Sequence, residues 1–274
     1  MLDGIEEKCK EIRKEVFIQA YHAGGAHIGS AFSVVDILGT LYFGKVLKYR
    51  ADNPECGERD KVILSKGHAG VALYAVLAHA GYFDRRELRT YCQPGSKLGG
   101  HPKIYEIPGV EASTGALGHG LSFGIGIAYA NKVDHKDSHV YVILGDGECQ
   151  EGSIWEGALS APTLGLDNLT VIVDHNKLQA MDVMENIVRM QPFVDKWKAF
   201  GWHVIDVDGH NYEEIRKALL VRATGKPVLV VANTIKGKGV SFMENVPIWH
   251  YRMPNEQEMS ILMEELELTE KDLK

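Results

Sequence analysis

The chain has 274 residues, 45% of them hydrophobic and 24% charged, the composition of an ordinary globular protein with room for a sizeable core in one large domain or two small ones. Its net charge of −7, from 30 Lys+Arg against 37 Asp+Glu with no long basic cluster, argues against nucleic acid as a partner. The four cysteines (Cys9, Cys56, Cys92, Cys149) have neither the spacing of a zinc site nor the density of a disulfide scaffold. They fit a reduced, cytoplasmic compartment. The amino terminus is too charged for a signal peptide, and no apolar run approaches a transmembrane length, so no membrane association is expected.

In chain order, residues 4–22 carry Ile5, Cys9, Ile12, Val16 and Ala20 at helical spacing, which predicts an amphipathic helix. A glycine-rich stretch, Gly24 to Gly29, separates it from a second helix over 33–43. A polar loop (50–60) leads to a short strand at 61–64, a turn at Ser65-Lys-Gly-His68, and a helix to about residue 80. The segment 91–115 holds Pro94, Pro102, Pro108 and several glycines with little periodicity. A structureless segment of that length between ordered elements is expected to be functional. Helix 120–132 and strand 140–144 follow, then a helix over about 151–166, strand 169–173, helix 190–200, strand 203–207, helix 211–223, strand 228–233 and a charged amphipathic helix over 257–267. Strands alternating with helices predict an α/β fold, a doubly wound, mostly parallel sheet with helices on both faces. No repeat or composition shift divides the chain, so it reads as a single domain over 1–274.

The chemistry is carried first by Asp146 and Asn176. Asp146 ends the apolar run Val140-Tyr-Val-Ile-Leu-Gly-Asp-Gly147, and Asn176 ends Leu169-Thr-Val-Ile-Val-Asp-His-Asn176. A lone Gly-Asp-Gly is a common strand-end turn. Here residues 148–175 between them read as helix, turn and strand, one βαβ unit that brings the two ends together by topology. Ligands of open α/β sheets bind outside the carboxyl ends of the strands. A carboxylate and an amide oxygen side by side there are hard donors of the kind Mg or Ca takes, and Mg completes its shell with phosphate and water. The acidic net charge does not oppose a phosphate ligand, because a bound metal and helix N-termini supply local positive potential.

Of the 12 histidines, five sit where turns or strand ends aim them at that edge: His27, His68, His101, His119 and His250. Four of the five have a glycine within two residues. Any one of them could be an ordinary surface or core histidine; together they suit contacts to phosphate or hydroxyl oxygens. No two of the five pair at i, i+3 or i, i+4, which argues against a histidine metal site.

Gly145-Asp146-Gly147 followed by Asn176 resembles the thiamine diphosphate signature, and Gly-Asp-Gly-Glu-Cys-Gln-Glu-Gly-Ser-Ile-Trp-Glu156 resembles its transketolase branch. The resemblance runs from Ala23 to about Pro254 and matches the amino-terminal half of a full-length transketolase. It implies that Asp146, Asn176 and the carbonyl of Leu178 hold Mg. It assigns His68, His250, the Gly147 backbone and Asn176 to the diphosphate, with Glu148 and His119 also in the cofactor-binding set. Gly115, Ala116 and Leu117 lie along the cofactor, and His27 and His101 contact the sugar near the reacting carbon. Glu151 and Glu156 match acidic residues at the subunit interface. The sequence departs from the family pattern in Ile28, where proline is usual, and in His119, where glutamine is usual.

The glutamate that must protonate the aminopyrimidine belongs, in that family, to a second pyrimidine-binding domain, as do the arginines for the sugar phosphate. The chain is therefore expected to be the diphosphate-binding subunit of a split transketolase, paired with a separate C-terminal subunit in a 2+2 heterotetramer and acting on sugar phosphates of the pentose phosphate pathway. Alternatives are a related ketol or acyl transferase of deoxyxylulose-phosphate-synthase or specialised sugar-pathway type, and a regulatory subunit that binds cofactor without turnover. A Rossmann dehydrogenase is disfavoured because no G-x-G-x-x-G opens a helix after the first strand.

Overall fold

The computed structural model describes residues 4–274. Strands β1 (Lys61–Leu64), β2 (Val140–Gly145), β3 (Leu169–His175), β4 (His203–Asp208) and β5 (Val228–Asn233) form one sheet. Their order is β1-β2-β3-β5-β4, and every pairing is parallel. The ends of β2, β3 and β5 are thus neighbours at the centre of the carboxyl edge. Gly145 pairs with Asp174 and His175 with Asn233, so these three strands end nearly level.

The runs of Val, Ile and Leu in β2, β3 and β5 are buried on both faces, as the interior strands of a parallel sheet require. Alternate residues feed two separate cores. Tyr141, Ile143, Ile172 and Val230 pack with apolar residues of α1 (Ile5–Ala23), α2 (Ile28–Phe43), α3 (Gly70–His79) and, later in the chain, α8 (Tyr212–Leu219) and α9 (Glu256–Glu265). Val142, Leu144, Val171 and Val231 pack with α4 (Gly120–Val133), α5 (Gly152–Thr163) and α7 (Phe193–Ala199). Helices therefore cover both faces, as expected. Gly124 of α4 makes this close: a Cβ there would lie 2.3 Å from Val142 Cγ2. Strand β4, at one end of the strand order, carries exposed His203, Asp206 and Asp208, polar groups suited to an unpaired border.

Several boundaries move. Helix α2 begins at Ile28 rather than 33, because tertiary packing outweighs the poor helix propensity of Gly29 and Ser30. A Cβ on Gly29 would come within 2.8 Å of the Trp249 carbonyl, so the missing side chain is what lets this turn approach. Helix α8 starts one residue later than expected, capped by the Asn211 side chain, and α9 starts at Glu256 behind an Asn255–Glu258 capping box. A short helix not expected from the sequence, α6 (Met184–Ile187), follows the β3 end, and α7 is shorter than the expected 190–200. Beyond the single 3₁₀ segment Arg85–Thr90, residues 91–115 form no regular element. They are pinned by buried Leu98 and by Tyr74 Oη donating to the Gly99 carbonyl at 2.9 Å. No helix among the described residues is long and apolar enough to cross a membrane.

Candidate active site

Because β2 and β3 pair in parallel register, Asp146 and Asn176 emerge together at the carboxyl edge. Both are buried. The Asp146 carboxylate accepts hydrogen bonds from the Gly147 N–H at 2.8 Å and from the Lys177 N–H, so it ties the β2 turn to the β3 turn. Asn176 Oδ1 accepts from the Leu178 N–H at 3.0 Å, and Lys177 takes a left-handed conformation with φ 64° to close that turn.

A cavity of about 350 Å³ opens over this edge, and its walls include Asp146, Gly147, Asn176 and Leu178 together with His27, His68, His101 and His250. Four expected histidines thus converge from four parts of the chain. His27 caps the start of α2, His68 lies in the 3₁₀ turn after β1, His101 on the irregular 91–115 segment, and His250 in the turn Pro247–His250. Ring centroids lie 5.0 Å apart for His27–His250, 5.3 Å for His27–His68 and 6.4 Å for His27–His101. The His101 approach needs Gly115, whose φ is 137° and whose added Cβ would meet the His101 ring at 2.9 Å. Gly115, Leu117, Glu148 and Glu151 also line the cavity. Ala116 and His119 do not; both are exposed, His119 at the N-cap of α4. Glu156 is exposed on α5, five residues beyond Glu151, the N-cap residue of that helix.

Glu148 does more than line a wall. Its buried carboxylate accepts from the Gly118 N–H at 2.9 Å, the Gly145 N–H at 3.0 Å and the Ser65 hydroxyl. It therefore staples the ends of β1 and β2 to the turn before α4.

Three groups that shape the site escaped the sequence reading. Lys66, inside the quoted turn Ser65-Lys-Gly-His68, is almost fully buried and pairs with buried Asp174 of β3. Asp174 also accepts from Ser33 Oγ at 2.6 Å and from the Thr234 hydroxyl. Burial alone would raise its carboxyl, but the Lys66 ammonium and these bonds hold it below the usual range. Lys236, just past β5, donates to the Gln179 carbonyl at 2.8 Å and lies 3.2 Å from His250 Nδ1. The usable signal was the same for Lys66 and Lys236: a lysine two or three places beyond an apolar strand and beside a glycine.

Electrostatically the cavity-wall lysine, Lys66, is already paired with Asp174, and the Asp146 carboxylate stands to gain from further positive charge. Burial, then nearby Asp174, pushes Asp146 up to about 7. Such a carboxylate gains from a divalent cation, and the donor set of one carboxylate, one amide and a backbone carbonyl fits Mg better than zinc. Among the described residues no three His, Cys, Asp or Glu side chains form a metal cluster. Larger hollows of about 500 and 660 Å³ lie at the α1–α9 surface and beside α6, but neither gathers these histidines.

Burial, followed by neighbouring cations and imidazoles, lowers His27 and His250 to about 4 and His68 well below its usual value. The folded chain therefore holds these rings neutral while the unfolded chain protonates them near 6.5. Between about 4 and 6.5 the unfolded state binds more protons, so this contribution to stability is intact above 6.5 and declines as pH falls through that window. Asp146, which burial holds at about 7, acts in the opposite direction over the same window, but three rings outweigh one carboxylate, so the urea midpoint of the ligand-free chain is expected to drop between pH 7 and pH 5; an unchanged midpoint would contradict the burial argument for the histidines.

The sequence matches the family described as transketolase, thiamine diphosphate binding domain, over residues 6–270. It is 41% identical over 265 residues to the 6-deoxy-6-sulfo-D-fructose transketolase subunit SqwG of Clostridium sp. (strain MSTE9). It is 42% identical over 266 residues to one of the apulose-4-phosphate transketolase subunits of Actinobacillus succinogenes. Each alignment covers 96% of both chains. Among solved structures, the transketolase from Leishmania mexicana superposes with a TM-score of 0.89 at 29% identity, covering 98% of this chain and 43% of that one. The chain thus spans less than half of the solved transketolase and nearly all of two relatives that are named as subunits. It belongs to the transketolase family of thiamine diphosphate-dependent transferases, and it carries that family's thiamine diphosphate binding domain.

Proposed function

We propose that the chain is the diphosphate-binding subunit of a two-chain transketolase that moves a two-carbon ketol unit between sugar phosphates. The observation that carries this reading is the convergence of Asp146, Asn176 and four histidines on one cavity over the central strand ends. Asp146, Asn176 and the Leu178 carbonyl would hold Mg, which in turn would share the diphosphate oxygens. His68, His250, Lys236 and the Gly147 backbone would surround the diphosphate, with Gly115 to Leu117 along the cofactor. Thiamine diphosphate, when bound, supplies the carbanion chemistry. The chain's own part is to orient it, exclude water, and present His27 and His101 to the sugar oxygens.

The neutral state of His27 suits this role, since a neutral imidazole can both donate to and accept from substrate hydroxyls. A second polypeptide would provide the pyrimidine-binding half and its glutamate, with Glu151 and Glu156 on the exposed start of α5 facing a neighbouring subunit in a 2+2 assembly. The names of the relatives, which call each of them a subunit, support a separate partner. Their named substrates, a sulfosugar and apulose-4-phosphate, favour a specialised sugar pathway over the pentose phosphate pathway for this chain too.

The first test is to isolate the tagged chain from its own cells, identify what accompanies it in equal amount, and titrate the complex with thiamine diphosphate with and without Mg. Metal-dependent binding and ketol transfer in a stoichiometric complex are expected. Binding with no ketol transfer between sugar phosphates or from a sulfosugar, or no partner at all, would move the regulatory reading ahead. Within the active complex, His101→Ala is expected to lower kcat by about 10²-fold or more, a loss of the size seen for acid–base and hydrogen-bonding groups, with cofactor affinity changed far less. A loss mainly of cofactor affinity would remove His101 from the sugar side.

A further inference from the structure

Lys236 stands beside His250 on a turn that is tied to a residue outside the cavity lining. The turn follows β5, and the Ile235 N–H donates to His210 Nε2 at 2.8 Å. His210 precedes α8 and is no part of the cavity wall. Its other nitrogen, Nδ1, lies 2.7 Å from Asp36 Oδ2. Because Nε2 accepts a hydrogen bond from a backbone amide, Nδ1 must carry the ring proton and donates a hydrogen bond to Asp36.

Asp36 is a fixed point. It is buried in the middle of α2, gripped by the Arg13 guanidinium through both oxygens at 3.0 and 2.7 Å, and accepts the Tyr212 hydroxyl at 3.0 Å. The imidazole is thus locked between a rigid α1–α2 anchor and one backbone amide. Lys236, the next residue, is almost fully buried, and its ammonium sits on the Gln179 carbonyl and against His250. Its own main chain is held by the Asn245 N–H donating to the Lys236 carbonyl at 2.9 Å.

We infer that His210 is a positioning residue, a neutral imidazole that fixes the Ile235–Lys236 turn and so sets where the Lys236 ammonium stands beside His250. Its consequence for cofactor affinity rests on the cofactor reading proposed above.

Two substitutions separate the two hydrogen bonds of the ring. His210→Asn puts an amide nitrogen near Nδ1 and keeps the donor to Asp36, but has nothing at the Nε2 position. His210→Gln reaches the Nε2 position with an acceptor for the Ile235 N–H. The full chain with its partner would be compared in three forms, reading amide hydrogen exchange at residues 235–236 and thiamine diphosphate affinity with Mg. His210→Asn is expected to lose exchange protection there and to bind cofactor about ten-fold more weakly, the scale of one unsatisfied part-buried donor, while His210→Gln keeps both near the wild type. A purely structural role would instead lower thermal stability in both variants and leave cofactor affinity equal among the folded proteins.

Unchanged exchange in His210→Asn would overturn the anchor. Lost protection with unchanged affinity would show Lys236 placed without His210 and overturn its positioning role. If the wild type itself bound no thiamine diphosphate, the functional proposal would fail, and the exchange comparison would still decide the anchor.

Discussion

Asp146→Ala is expected to abolish metal-dependent binding of thiamine diphosphate, weakening it beyond the roughly 10–100-fold typical when only an outer-shell partner of a metal is lost. The carboxylate is the one formal negative charge that this chain would bring to the proposed metal shell; Asn176 and the Leu178 carbonyl bring only dipoles. Asp146 also accepts the Gly147 and Lys177 N–H groups, so alanine removes the cation's counter-charge and the tie between the two strand-end turns together. Asp146→Asn separates these effects: it keeps an amide acceptor for one N–H but not the charge. Calorimetric titration with and without Mg should show both variants losing the metal-dependent part, with the asparagine chain nearer to the wild type in thermal stability. Undiminished, metal-dependent binding in Asp146→Ala would sink the metal assignment and, with it, the cofactor reading of this edge.

The largest stability effect is expected at Asp174→Ala, which should cost about 3–5 kcal/mol, the range for leaving one partner of a buried ion pair uncompensated. Lys66 has almost no access to water, so its ammonium would remain beneath the cavity without its carboxylate. Thr234 would lose its acceptor as well, and Ser33 would be left with the Ser30 carbonyl alone. The paired change Lys66→Met with Asp174→Leu removes both charges and should recover much of that loss, because well-packed apolar residues can replace a buried pair at little cost. Urea unfolding of the single and paired variants measures this, and the paired variant keeps the question answerable if the single one does not fold. A single variant within about 1 kcal/mol of the wild type would mean that water or a shifted proton relieves the lysine.

The two-face alternation of the strands shows how far pattern reading reaches. Val140-Tyr-Val-Ile-Leu144 and Leu169-Thr-Val-Ile-Val173 are apolar at every other position and at most of the positions between, the pattern of interior parallel strands, and the sheet buries both on both faces. The same logic led to Asp146 and Asn176, because strand ends in a βαβ unit are brought together by the short right-handed crossover between them. His27, His68 and His101 were legible for a weaker reason, their placement beside glycines, and that signal was equally strong for His119, which lies exposed at the start of α4 and outside the cavity lining. Glycine marks a turn but carries no direction.

Helix starts were misjudged where packing decides. Nothing in Ile28-Gly-Ser-Ala-Phe32 favours a helix start over a loop until the Trp249 backbone is laid against Gly29. The buried charge pair was not legible for a related reason. Lys66 and Asp174 are 108 residues apart, as ordinary in sequence as any solvated lysine and aspartate, and only the adjacency of β1, β2 and β3 buries them together.

The sequence by itself determined the alternating parallel fold and the placement of Asp146 and Asn176 at neighbouring strand ends, because hydrophobic period and strand-end position are local properties written within one segment. The tertiary structure decided which histidines share a cavity, that Glu148 staples three turns, that two buried lysines stand under the site, and that His210 ties one of them to a distant anchor. These are contacts between segments far apart in the chain, and they exist only once the sheet order β1-β2-β3-β5-β4 sets β5 between β3 and β4 and brings its end to the centre of the edge.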